Sequence, residues 1–203
     1  MKNISADVRF IGGVFIAHLL MYFTFQDKSI FWYIFSASLL FLISYSIIME
    51  EVEDKVSFGT YLIYGSISGA VLFFLFWTGY HLFDLLNLPV INQVEKLYGR
   101  FSPSLLWHYI VLILIIIPGE EIFWRGFVQK RILKHSNVTF SIILSSILYA
   151  SVHFYSGYWM LPFAALIAGL FWGWLYAWKR SIPLVIVSHL IFDLFMFVIF
   201  PFK

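Results

Sequence analysis

Residues 107–121 read Trp107-His108-Tyr109-Ile110-Val111-Leu112-Ile113-Leu114-Ile115-Ile116-Ile117-Pro118-Gly119-Glu120-Glu121. An unbroken aliphatic run thus ends on a helix breaker and two acids. Working outward, apolar runs recur at about 8–25, 29–49, 57–83, 104–128, 138–155, 158–178 and 181–200, together about three quarters of the 203 residues. A helix needs about 20 mostly apolar residues to cross a bilayer, so the pattern predicts an all-α, polytopic transmembrane helical bundle of about seven spans. Composition agrees. The chain is 62% hydrophobic and 12% charged, against about 45–50% and about 25% in soluble domains. A soluble enzyme, a nucleic-acid binder and a β-barrel with alternating strands are excluded, as is a disulfide scaffold, for there is no cysteine.

The chain reads as one integral-membrane domain over 1–203, because its longest polar stretch, Asn87–Pro103, is about as long as one loop. Lys2 and Arg9 before Phe10–Phe25 resemble a signal peptide, yet no small-residue cleavage site follows, so an uncleaved first span is expected. With seven spans, one side collects Lys2, Arg9, Lys55, Arg125, Lys130, Arg131, Lys134, Lys179 and Arg180. The other collects Lys28, Lys96, Arg100 and Lys203. Cytoplasmic loops carry the basic excess, so a multi-pass cell-membrane protein is expected, its N-terminus cytoplasmic and its C-terminus outside. Trp32, Trp77, Trp107, Trp159 and Trp178 fall near span ends, as an interfacial belt requires. The pairs Gly65/Gly69 and Gly169/Gly173 read as close-packing sites between helices of the bundle. The oligomeric state is open.

Most acids lie in loops or at span ends; Glu120, Glu121 and Asp193 are embedded in apolar sequence. An ionised residue at a helix centre costs roughly 2.5–3.5 kcal/mol on insertion scales, so such residues pair, line a wet cavity or work. Glu121 and Arg125 are four apart with the acid first, the favourable order on one helix face. Glu120 points about 100° away from Glu121 and has no partner in its own turn. Pro118 removes a helix hydrogen bond and Gly119 loosens the backbone. Open backbone at that depth is tolerated only where protein or a watery cavity satisfies it. The bland alternative is a salt bridge at a kink near the cytoplasmic surface.

Two further polar groups interrupt apolar spans: His153, and His189 with Asp193 four residues on. Asp193 is placed to fix the His189 tautomer, or the two share a ligand or proton. His18, His81, His108 and His135 read as packing or interfacial residues. If one cavity gathers Glu120, His153, His189 and Asp193, it can activate water, with a second polar cluster stabilising an oxyanion. The same four residues are the set that would hold zinc if a metal is used; none is expected. His-Glu-x-x-His and Gly-x-Ser-x-Gly are both missing from the sequence.

Glu120-Glu121-Ile122-Phe123-Trp124-Arg125, then Tyr149-x-x-x-His153, then His189-Leu190-Ile191-Phe192-Asp193 resemble the three motifs of the CPBP (Abi) family of CAAX proteases and bacteriocin-processing enzymes. The resemblance covers about 104–200 and departs at Tyr149, where phenylalanine is usual. It implies an intramembrane endopeptidase, of glutamic or metal-dependent type, whose site opens to the cytoplasm. Glu120 and His153 would activate the water, His189 and Asp193 would stabilise the oxyanion, and Glu121 and Arg125 would support them. An ionised Asp193 repels an oxyanion, so it must be protonated, orient His189 or bind a metal. The expected partners are membrane lipid and a membrane-associated peptide or protein, with no nucleic acid. Substrate classes implied are prenylated protein C-termini, peptide pheromones and bacteriocin leader peptides. Two other functions compete: a non-catalytic membrane adaptor or bacteriocin-immunity protein, and a proton-coupled transporter using Glu120 and Asp193.

One difficulty is depth. A single helix over 104–134 is about 46 Å long, with Glu120 near its middle; His189 lies about 12 Å and His153 about 22 Å from the ends of their runs at 1.5 Å per residue. The helices must tilt or start at different depths for these groups to meet.

Overall fold

The computed structural model describes residues 7–202; Lys2 and Lys203, both counted in the charge balance, lie outside the described residues. Eight helices follow in order. They are α1 Val8–Thr24, α2 Phe31–Met49, α3 Phe58–Leu85, α4 Val90–Phe101, α5 Leu106–His135, α6 Val138–Ser156, α7 Met160–Lys179 and α8 Ile182–Ile199. Six are long and apolar enough to cross a membrane, and α1, at 17 residues, is the shorter seventh. The polar stretch expected to be a loop instead forms α4. Its Val94, Leu97, Tyr98 and Phe101 turn inward while Asn92, Glu95 and Lys96 face out, which the alternation of apolar and polar residues at helical spacing makes favourable.

Helix starts follow local chemistry. The Asp7 carboxylate accepts from the amides of Arg9 and Phe10, both at 3.1 Å, and opens α1. Asn137 caps α6 through the amide of Phe140 at 2.8 Å, and Ser181 caps α8 through Leu184 at 3.3 Å. His108 reaches back so that Nδ1 accepts from the Ser104 amide at 3.1 Å, a structural task that matches its reading as a packing residue. Gly157 takes φ 77° between α6 and α7, a left-handed turn that a side chain would strain. Around Pro118, which has no amide to donate, α5 widens into π-helical turns at Leu112–Ile116 and Ile122–Gln129.

Two apolar layers flank the polar centre. One packs Phe123, Trp124 and Phe127 of α5 against Leu39 and Leu42 of α2, with Ala17 of α1. The other packs Trp172 and Tyr176 of α7 with Phe73 of α3 and Leu184 and Val185 of α8. Small residues set the helix spacing. A Cβ on Gly69 would sit 2.3 Å from the Ser188 carbonyl oxygen, so α3 and α8 touch backbone to backbone. At Gly169 the approach is looser, a Cβ there sitting 3.1 Å from the Ser146 Cβ of α6. Both glycine pairs therefore pack helices within the chain. Trp32 departs from the interfacial-belt reading: it is buried and stacks on His108 at 4.6 Å, whereas Trp77, Trp159 and Trp178 are exposed.

The two ends of the bundle differ. At one, which we term the basic end, Glu50 accepts from Lys134 at 2.6 Å and pairs with Arg131 at 2.7 Å. Arg131 also binds Asp7 at 2.7 Å, and Glu53 meets Lys130, Arg180 and the Tyr176 hydroxyl. An antiparallel bridge between Asp54 and Ser181 ties the loop after α2 to the start of α8. At the far end lie the loop after α1, helix α4 and the turn at Gly157.

Candidate active site

Glu120 leaves α5 two residues after Pro118 and is met by two helices. The Tyr149 hydroxyl of α6 donates to its Oε2 at 2.9 Å. The Nε2 atoms of His153 and His189 stand 3.9 Å and 4.0 Å from its two carboxylate oxygens. Those gaps are too long for a direct hydrogen bond and short enough for one water to bridge. Asp193 completes the group, with Oδ2 3.8 Å from His189 Nε2. All four lie among the buried residues and line one cavity of about 200 Å³.

The depth difficulty is resolved by where helices end. His153 sits at the last helical turn of α6, in a 3-10 segment, and α8 crosses α3 so closely that His189 is carried into the centre.

The hydrogen-bond partners assign the imidazole protons. His153 Nδ1 lies 2.8 Å from the Tyr149 carbonyl, which can only accept, so Nδ1 carries the proton and Nε2 turns its lone pair to the cavity. His189 Nδ1 lies 2.7 Å from Glu121 Oε1, which also accepts from Arg125 at 3.1 Å. This corrects the expectation that Asp193 fixes the His189 tautomer. Glu121 does so, because it reaches Nδ1 from a neighbouring helix, whereas the four-residue spacing leaves Asp193 nearer the other nitrogen.

The supporting layer contains groups that sequence spacing did not reveal. Trp172 stacks on His189 at 3.9 Å and donates from Nε1 to Ser188 at 3.2 Å. The Arg125 guanidinium lies 4.8 Å from the Tyr149 ring and 5.4 Å from that of Trp172. A cation held between two ring faces gains from their quadrupoles, which adds to its ion pair with Glu121. The only hint in the sequence is that Trp172 sits mid-span rather than at an interface.

The donor set does not fit zinc as it stands. Two ligands on one tetrahedral zinc are about 3.3 Å apart for bonds of about 2.0–2.1 Å, and each Nε2 is farther than that from Glu120. Among the described residues no group of three or more His, Cys, Asp or Glu side chains is arranged to hold a metal ion.

Fold and site together define a class: a multi-pass helical membrane protein with a carboxylate and two imidazoles converging on a water-sized gap in its interior. Residues 102–195 match the family model described as Type II CAAX prenyl endopeptidase Rce1-like. That segment is a little under half the chain and contains all three motifs, so the resemblance to this protease family holds over it. Comparison with curated proteins and with solved structures gave no match.

Proposed function

We propose that the chain is an intramembrane endopeptidase in which Glu120 is the general base. The observation that carries this reading is the approach of both imidazole Nε2 atoms to the Glu120 carboxylate inside one cavity. A water held between Glu120 Oε1 and His153 Nε2 gives a proton to the carboxylate as its oxygen attacks the peptide carbonyl. His189, once protonated at Nε2, donates to the oxyanion, while Glu121 holds its Nδ1–H and Asp193, 3.8 Å from Nε2, lines the same wall of the cavity. The proton on Glu120 then passes to the departing amine. No step uses a metal.

The substrate is a membrane-associated peptide or protein; prenylated C-termini, peptide pheromones and bacteriocin leader peptides are the classes to be screened. Purified protein in proteoliposomes is expected to cleave such a peptide, with activity unchanged by 1,10-phenanthroline. Glu120→Gln keeps the side-chain shape and should lower kcat about 10²–10⁴-fold, the usual size of a general-base contribution. Cleavage at the parental rate by a folded Glu120→Gln protein would remove Glu120 from the base role, and failure of the parental protein to cleave any of these classes would return the chain to the adaptor or immunity class.

A further inference from the structure

Helix α1 carries one imidazole, His18, set among apolar residues and outside the lining of the Glu120 cavity. Ionisable side chains inside membrane helices persist where they are partnered or working. His18 is partnered at both ring nitrogens, and both partners come from the end of α6. Its Nδ1 lies 3.0 Å from the Tyr155 hydroxyl and its Nε2 3.2 Å from the Ser151 hydroxyl. The protons follow from the neighbours. Ser151 Oγ donates to the Leu148 carbonyl at 2.7 Å, so toward His18 it accepts. Nε2 therefore carries the ring proton, and the bare Nδ1 accepts from Tyr155. The Tyr155 ring is also held edge-on by His18 at 5.8 Å and by Tyr22 of α1 at 5.6 Å.

Ser151 and Tyr155 are four apart and share a face of the turn, whereas His153, two residues from each, projects from the opposite side at about 100° per residue. Helix α1 thus grips the outer face of the turn whose inner face presents His153 Nε2 to Glu120 at 3.9 Å. The turn needs such a grip. It is a helix end, where the last carbonyls lack intrahelical partners; it tightens to 3-10 geometry over His153–Ser156 and stops at Gly157. Among the described residues His153 has one hydrogen bond, to the Tyr149 carbonyl of its own helix, so its distance from Glu120 follows the placement of the turn. We infer that His18 is a positioning residue for His153: through Ser151 and Tyr155 it holds the end of α6 where one water fits between imidazole and carboxylate. The purpose of that distance rests on the proteolytic reading. His18 thereby leaves the packing residues among which its sequence context placed it.

The test uses the purified full chain in detergent. His18→Leu removes both polar contacts, while His18→Gln keeps one donor and one acceptor. His18→Leu is expected to lower kcat about 10–10²-fold, the size of a misplacement of about 1 Å or less, and to leave KM unchanged. His18→Gln should restore much of that loss. Tyr155→Phe should reproduce part of it and add little on top of His18→Leu, because the two act through one contact. Nitrogen NMR of histidine-labelled protein reads the same point without turnover, and six histidines are few enough to assign by single substitutions. His18 should show the Nε2–H tautomer, and the His153 signals should move in His18→Leu and return in His18→Gln. Parental kcat with unmoved His153 signals in folded His18→Leu overturns the inference, as does a lowered Tm with those signals in place. Where His18→Leu does not fold, Tyr155→Phe and Ser151→Ala decide by the same two measurements. A parental protein that cleaves nothing while His153 responds to His18 removes the peptidase reading and leaves the positioning.

Discussion

At the residue scale, the departure at position 149 acquires a physical meaning. The Tyr149 ring stacks edge-on with His153 at 4.8 Å as a phenylalanine would, and its hydroxyl adds a donor to Glu120 at 2.9 Å. Tyr149→Phe keeps the ring and should lower kcat by no more than about tenfold, about 1.4 kcal/mol, with KM unchanged. A loss as large as that of Glu120→Gln would make the hydroxyl part of the reacting set. Glu121 behaves differently. It is fully buried between Arg125 and His189, so Glu121→Gln leaves a guanidinium uncompensated. Breaking a buried pair from one side costs about 3–5 kcal/mol. Thermal unfolding in detergent should show this as a large drop in Tm, whereas Glu120→Gln should leave Tm near the parental value.

At the element scale, helix contacts position the chemistry. The backbone approach of α3 to α8 at Gly69 holds the turn that bears Ser188 and His189. Gly69→Ala must push the two helices apart, at a cost of about 1–3 kcal/mol for overpacking, and is expected to reduce cleavage by moving His189. Gly59→Ala, in the same helix with nothing within 4 Å of its Cβ, should leave stability equal or slightly raised. Comparing the two by unfolding in detergent separates packing from helix propensity. Period and length in the sequence predicted every long helix to within a few residues, except that α5 runs on to His135. The α4 helix was missed because its polar outer face lowers the hydropathy that marks a span. The π-helical turns of α5 were foreshadowed only by Pro118 and Gly119: a missing amide says that pairing must change, not how.

At the scale of the whole molecule, the basic end is a clamp whose strength depends on pH. Burial pushes the Asp7 carboxyl up, but the Arg131 guanidinium and the amides of Phe10 and Arg9 outweigh this and hold it below its ordinary value of 3.8. Burial likewise raises Glu53, and the Tyr176 hydroxyl with Lys130 and Arg180 brings it below its ordinary 4.5. A carboxyl lowered in the folded state contributes stability above its unfolded pKa and loses it as pH falls through the folded one. Tm in detergent should therefore be insensitive to these two groups above about pH 5 and fall on acidification below 4.5. The double variant Asp7→Asn, Glu53→Gln should flatten that fall; an unchanged slope would show that other carboxyls carry it. The sequence by itself determined the membrane-spanning helical class and the scarce polar residues, because twenty apolar residues in lipid have no alternative to a helix and an embedded acid must earn its place. Tertiary structure decided which carboxylate holds His189, that Tyr149 reaches Glu120, and that one cavity gathers Glu120, His153, His189 and Asp193. Those outcomes depend on the angle and offset at which separate helices meet, and spacing along one chain carries no information about either.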